Sequence, residues 1–353
     1  MNTTLAAPKQ NQTLECIRML ACVLVVFAHV PFPGRVGELI SCLFRFAVPF
    51  FFALSGFFSY GKSVSRLTSR LKHILLLNGA AILICLASDC LVALSWGGSV
   101  TEELLGSVPD LSKLARWVFL HINPFGGHLW YLTAIAFCYG VAILYTGFFP
   151  EGSADYRALY LTGFFLFLLR FAGADILAFG DVRVDYYLFR DGVFIGLPMF
   201  AMGMFLGQYR QRILENYRLI PGKLIALLVL GIGLSLLQWK GLSIQELPLG
   251  AVIQVMALLL LCAARPNIPG CGRVGQKVLS QFRFLSTWVY IIHLPVKDLY
   301  EAFLLPLTEA RFGSREMWLR PIAVLTLSIA LCLLGKLPAA LWGRKSAKEG
   351  KAL

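Results

Sequence analysis

One arginine and one histidine interrupt the otherwise apolar stretch Glu15–Val30, ECIRMLACVLVVFAHV. An ionisable side chain inside a membrane-crossing segment is expensive unless it faces protein or water, so it marks a candidate site. Arg18 and His29 stand eleven residues apart. At about 100° per residue they return to within about 20° of one stripe, separated by about 16 Å of helical rise. One face of one helix therefore carries both. The plainer alternative is an arginine snorkelling to the headgroups and a histidine hydrogen-bonded at the far end. A second stretch, LSTWVYIIHLPVKDLYEAF, places Tyr290, His293, Lys297 and Glu301 at offsets of three, four and four, again on one helical face. That face has no business against lipid. A polar cavity between the two stretches, opening outward, is the expected arrangement, with a structural Lys297–Glu301 ion pair as the alternative.

An imidazole with a near-neutral pKa in a low-dielectric cavity is suited to taking a proton from a hydroxyl. The residues show no Ser/His/Asp or Cys/His set for a hydrolase, so the chemistry they suggest is acid–base group transfer. A transporter would use intramembrane Arg, His and Glu as relay groups equally well, and residue types alone leave both open. Of the remaining histidines, His128 opens an apolar run beside Trp130 and Tyr131, aromatics of the kind that form interfacial belts. His73, flanking a basic loop, and His121, in another loop, are expected to be solvated surface residues.

These residues need helices to hold them. The chain of 353 residues is 58% hydrophobic and 14% charged, with a mean hydropathy of +0.72, which excludes a soluble domain. Apolar runs at roughly 14–31, 41–60, 73–94, 127–149, 158–179, 192–209, 223–239, 247–264, 284–305 and 319–342 have the length of membrane helices, not of barrel strands. The expected fold is all-α: a single domain over 1–353 with about ten spans, a polar tail at 1–13 and a basic tail at 343–353. Lys62, Arg66, Arg70 and Lys72, then Arg210, Arg212, Arg218 and Lys223, then Arg265, Arg273, Lys277 and Arg283, and finally Arg344, Lys345, Lys348 and Lys351 fall in alternate loops. The intervening loops hold Glu38, Glu102, Glu103, Asp110, Asp181, Asp185 and Asp191. By the positive-inside rule both termini are cytoplasmic, and the net charge of +13 reports topology, not nucleic acid.

LSKLARWVFL at 111–120 has the pattern of a surface-lying amphipathic helix. Gly203 and Gly207 form a GxxxG suited to close helix packing. The first span lacks a small-residue cleavage pattern and reads as an uncleaved membrane helix. The nine cysteines show no CxxC and no grouping with histidine at metal spacing, so no metal site is expected. P-loop, GxGxxG and GxSxG motifs are missing as well.

Several of these motifs occur together in a pattern that resembles the acyltransferase 3 family of membrane O-acyltransferases. They are Arg18-x10-His29 preceded by Glu15, Arg45 followed by FAVPFFFALSGFF, HLWYL at 128–132, Arg190-Asp191-Gly192 leading into VFIGLPMFAMG, and YIIH at 290–293. They cover nearly the whole chain in the family's order, with Asp191 where related sequences often carry asparagine. The resemblance implies a multi-pass inner-membrane enzyme that takes an acyl group, most often acetyl, from cytoplasmic acyl-CoA. Its acceptor would be a hydroxyl of a cell-surface glycan or lipid-linked sugar. It further implies His29 as catalytic base or transient acyl carrier, Arg18 along the donor path and Glu15 orienting Arg18 through an i to i+3 contact. Arg45 and Ser55 would line the neighbouring span, with Tyr290 and His293 on the opposite wall. The basic clusters around Arg70 and Arg210 are candidates for the CoA nucleotide, and His128, Trp130, Tyr131, Arg190 and Lys297 for substrate contacts.

Overall fold

The computed structural model describes residues 11–176, 186–242 and 247–349, and among them the chain is helical with no strand. Residues 1–10, the loop acids Asp181 and Asp185, and Lys351 lie outside the described residues. Helix α1 spans Gln12–His29. Asn11 caps it, accepting from the Leu14 N–H at 2.9 Å while its own amide donates to the Cys262 carbonyl at 2.8 Å. The start of α1 is thereby pinned to the end of another helix, which fixes the height of Arg18 about two turns further on. Past His29 the Pro31-Phe32-Pro33 sequence ends the helix.

Helix α2 (Gly34–Leu43), a 3-10 turn (Phe44–Phe46) and α3 (Ala47–Phe57) together make a single apolar stretch, so the expected second span is a broken helix. After α4 (Val64–Ser95), two helices, α5 (Val100–Gly106) and α6 (Leu111–Leu120), bury no residue. That agrees with a surface-lying α6, whose Leu111, Val118 and Phe119 are exposed. A 3-10 turn at Gly127–Leu129 leads into α7 (Trp130–Gly147), followed by α8 (Arg157–Arg170). A π-turn at Gly192–Gly196 opens α9 (Leu197–Asn216); α10 (Pro221–Leu242) and α11 (Leu249–Ala264) then pack on each other. The chain closes with α12 (Arg273–Leu299), α13 (Leu305–Phe312) and α14 (Glu316–Glu349).

Among the described residues, seven stretches are long and apolar enough to cross a membrane, by length and composition. The expected runs at 158–179 and 247–264 are not among them: α8 holds 14 helical residues before a π-turn at Phe171–Ile176, and α11 holds 16. The expected last two spans fall within one apolar stretch, Arg273–Lys336, which turns at Gly313 with φ +54°. Arg66, Arg70, Lys72 and His73 are not in a loop, because α4 begins at Val64. Arg and Lys are good helix formers that extend a helix beyond its apolar middle.

The GxxxG of α9 is a contact surface. A Cβ at Gly203 would lie 1.8 Å from the Ala53 carbonyl oxygen, and one at Gly207 2.6 Å from that of Phe57. The reverse contact, Gly56 against the Phe200 carbonyl, completes an α3–α9 crossing at backbone distance. Around this crossing the core also packs α1 on α12 and α4 on α7.

Candidate active site

A cavity of about 1060 Å³ runs between α1, α3, α4, α7 and α12. Arg18 and Glu15 line it, with Arg70 and His73 from α4 and Arg283 from α12; Ser69, His73, Ser280 and Arg283 are exposed, and they mark its mouth. Leu54, Leu77 and Ile135 are among its apolar walls, and Phe51, Ser55, Tyr131, Tyr290 and Ile291 also line it. Arg18 Nη1 lies 3.6 Å from Glu15 Oε1, the expected i to i+3 contact. The second carboxylate oxygen, Glu15 Oε2, is buried with no hydrogen-bond partner among the described residues. Arg18 is also within electrostatic range of Arg283 and Tyr131. Three guanidiniums with a single carboxylate leave the mouth of the cavity positive, a setting that favours phosphate or carboxylate oxygens.

His29 does not line this cavity. The expected space between α1 and α12 exists, but it opens at the Arg18 end; at the His29 end aromatic and imidazole rings pack around a half-buried His29. The His29 and His293 ring centroids lie 5.2 Å apart, and so do those of His293 and His128. Tyr290 packs 5.9 Å from His128 and 5.7 Å from Tyr131, so the two tyrosines stand between the cavity and the histidines. Arg190 stacks over Trp130 at 4.9 Å and lies within electrostatic range of His29, as does Lys297.

The histidines are held by backbone. Pro295, inside α12, has no N–H to give the Ile291 carbonyl four residues back, and His128 Nε2 takes that place at 3.1 Å. The Tyr290 hydroxyl in turn donates to the His128 carbonyl. His293 Nδ1 donates to the Tyr290 carbonyl at 2.7 Å. Because a carbonyl only accepts, these contacts put the protons on His128 Nε2 and His293 Nδ1. His128 Nδ1 and His293 Nε2 are left as lone pairs, each buried without a hydrogen-bond partner among the described residues.

The structure thus brings His29, His128, Trp130, Tyr131, Arg190, Tyr290 and His293 into one cluster. Arg18, Glu15 and Ser55 lie on the cavity that reaches its tyrosine wall. Two expected residues lie elsewhere. Arg45 packs over Phe44 at 5.1 Å and does not line the cavity. Lys297 is engaged with Asp298 at 3.2 Å and Glu301 at 3.0 Å, and Glu301 continues to Arg320 and the buried Glu316. The structural ion pair anticipated at 297–301 is therefore present, as part of a larger network.

His121 departs from expectation. It is 3% exposed, in the left-handed conformation at φ +57°, and its Nδ1 accepts from the Gly192 N–H at 3.2 Å. It lies outside the membrane-spanning stretches, and burial pushes its imidazole down to about 4. Asp191, next to it, accepts from the Val193 and Phe194 N–H groups at 2.9 and 2.7 Å. Burial raises that carboxyl to about 6 against the pull of the two amides. An asparagine oxygen could accept the same two bonds, which accounts for either residue at this turn. From the sequence, the mouth residues Arg70 and Arg283 read as basic loop residues and His73 as a surface residue beside such a loop; nothing local in the sequence says that they converge.

Among the described residues no three His, Cys, Asp or Glu side chains form a metal-ligand set. What the fold and site define is a multi-pass helical membrane protein with a buried imidazole cluster behind a basic, partly apolar cavity. The chain belongs to the acyltransferase 3 family, whose profile, described as an acyltransferase domain, matches residues 11–336. No curated protein and no solved structure matches it.

Proposed function

We propose that this membrane acyltransferase takes an acyl group, acetyl in the simplest case, from cytoplasmic acyl-CoA and transfers it to a hydroxyl of a cell-surface glycan or lipid-linked sugar. The observation that carries this reading is the cavity: guanidiniums at its mouth, apolar walls along its middle, and a tyrosine wall with the histidine cluster behind it. Arg70 and Arg283 hold the nucleotide phosphates and Arg18, fixed by Glu15, lies along the donor path, so that the thioester approaches Tyr131 and Tyr290. His29 removes the acceptor's proton from the opposite side, where the half-buried Arg190, stacked over Trp130, offers a cationic group to a sugar. In this reading the chain crosses the bacterial inner membrane about ten times, keeps both termini in the cytoplasm and needs no metal.

The test uses purified protein in detergent, with acetyl-CoA and no ion gradient. Thiol release that requires acceptor and persists in chelator is expected, and His29→Ala should abolish it at unchanged protein level. Mass spectrometry of surface glycans from cells with and without the gene should show one acyl mass on one sugar. Gradient-driven flux of a sugar without thiol release would instead support a transporter that uses the same residues.

A further inference from the structure

We propose that His293 is a positioning residue for His29: its bare Nε2 accepts the N–H of His29, through one water or after a small turn of the His29 ring, and so decides which nitrogen of His29 is the base. The proposal rests on the acyl-transfer reading for its chemical consequence and on geometry for the contact. His293 is fully buried, and its Nδ1 proton is committed to the Tyr290 carbonyl, with the Val289 carbonyl at 3.2 Å as a second acceptor. That leaves one lone pair with no hydrogen-bond partner among the described residues, in a place where an unsatisfied acceptor is costly. The His29 ring is packed against it at 5.2 Å between centroids, a separation that one bridging water or a small turn of the half-buried His29 ring would close.

The other neighbour, His128, has spent its proton on the Ile291 carbonyl, and its free Nδ1 is also an acceptor. Two acceptor nitrogens cannot bond each other, so His128 offers His293 no donor. Lys297, one turn along α12, gives its ammonium to Asp298 and Glu301. Of the three imidazoles, His29 is the one with an N–H still to give. Once it points at His293, the opposite nitrogen of His29 is deprotonated and turned away from the buried pair. The acceptor's O–H bond then breaks toward that nitrogen as the new C–O bond forms. The thioester C–S bond breaks in turn, and the departing sulfur takes the proton back from His29. Throughout, His293 holds the imidazolium by accepting its other N–H.

Two variants of the full-length protein separate this from a packing role. His293→Ala removes the acceptor, whereas His293→Gln keeps a carbonyl oxygen that can accept from His29 and an amide that can donate to Tyr290. Expected are a loss of kcat of about a hundredfold in the alanine variant, with KM for acetyl-CoA unchanged, and recovery of about tenfold in the glutamine variant. Equal kcat in the alanine and glutamine variants, or a loss confined to KM, overturns the proposal. A second readout needs no turnover: nitrogen NMR of 15N-histidine-labelled protein should show one tautomer of His29 in the parent and a mixture in His293→Ala. A mixture already present in the parent overturns the positioning role. Failure of the parent to use acetyl-CoA would instead count against the acyl-transfer reading and leave the NMR result standing.

Discussion

Arg18 illustrates what a single side chain can be asked to do. Its guanidinium sits beside Glu15 on the cavity wall, where a planar fork of donors can meet phosphate or carbonyl oxygens that a lysine ammonium meets only as a point charge. Arg18→Ala is expected to raise KM for acyl-CoA about tenfold or more, and Arg18→Lys to restore little of it, as read from initial rates against donor concentration. His121 offers a test of a different kind. Its neutral Nδ1 accepts from Gly192, and burial lowers its folded value from 6.5 to about 4. Protonation therefore favours the unfolded chain: the stability His121 contributes is complete above pH 6.5 and is lost progressively as the pH falls toward 4. His121→Asn, which tolerates the left-handed conformation and keeps an acceptor, should flatten the fall in melting temperature across that window. The sequence disclosed the imidazole but not its burial, because the loop returns to the start of the π-turn at Gly192 only through tertiary contact.

Among the elements, the close packing of α9 was the most legible, since Gly203 and Gly207 are spaced for it, although only the structure names α3 as the partner. Gly203→Ala should destabilise by about 1–3 kcal/mol, because its Cβ meets a backbone oxygen that cannot move aside. Gly140→Ala is the control: that glycine lies in α7 with open space where the Cβ would go, and the change should be neutral or mildly stabilising in the same thermal melt. Helix ends were less legible. Hydropathy reads the apolar middle of α4 and α12 and stops at the first cations, yet Arg70, His73 and Arg283 lie on those helices and face the cavity. The same property that marks a side chain as a loop residue by composition makes it useful at a cavity mouth.

Across the whole molecule, the stripe joining Arg18 to His29 was readable from their spacing, but the two sit on opposite sides of a wall. Composition cannot show that wall, because Tyr131 comes from α7 and Tyr290 from α12, more than a hundred residues apart in the chain. Its two helices are joined where His128 occupies the carbonyl that Pro295 leaves open. One residue of local disorder in a hydrogen-bond ladder has thus been made into a socket for an imidazole. Repairing the ladder should then be harmful: Pro295→Ala supplies a competing N–H to Ile291, so thermal resistance should rise while turnover falls, and the two measurements on one variant should move in opposite directions. A directed-evolution search for hardier versions of this protein would be drawn to that substitution and would lose the catalyst in taking it.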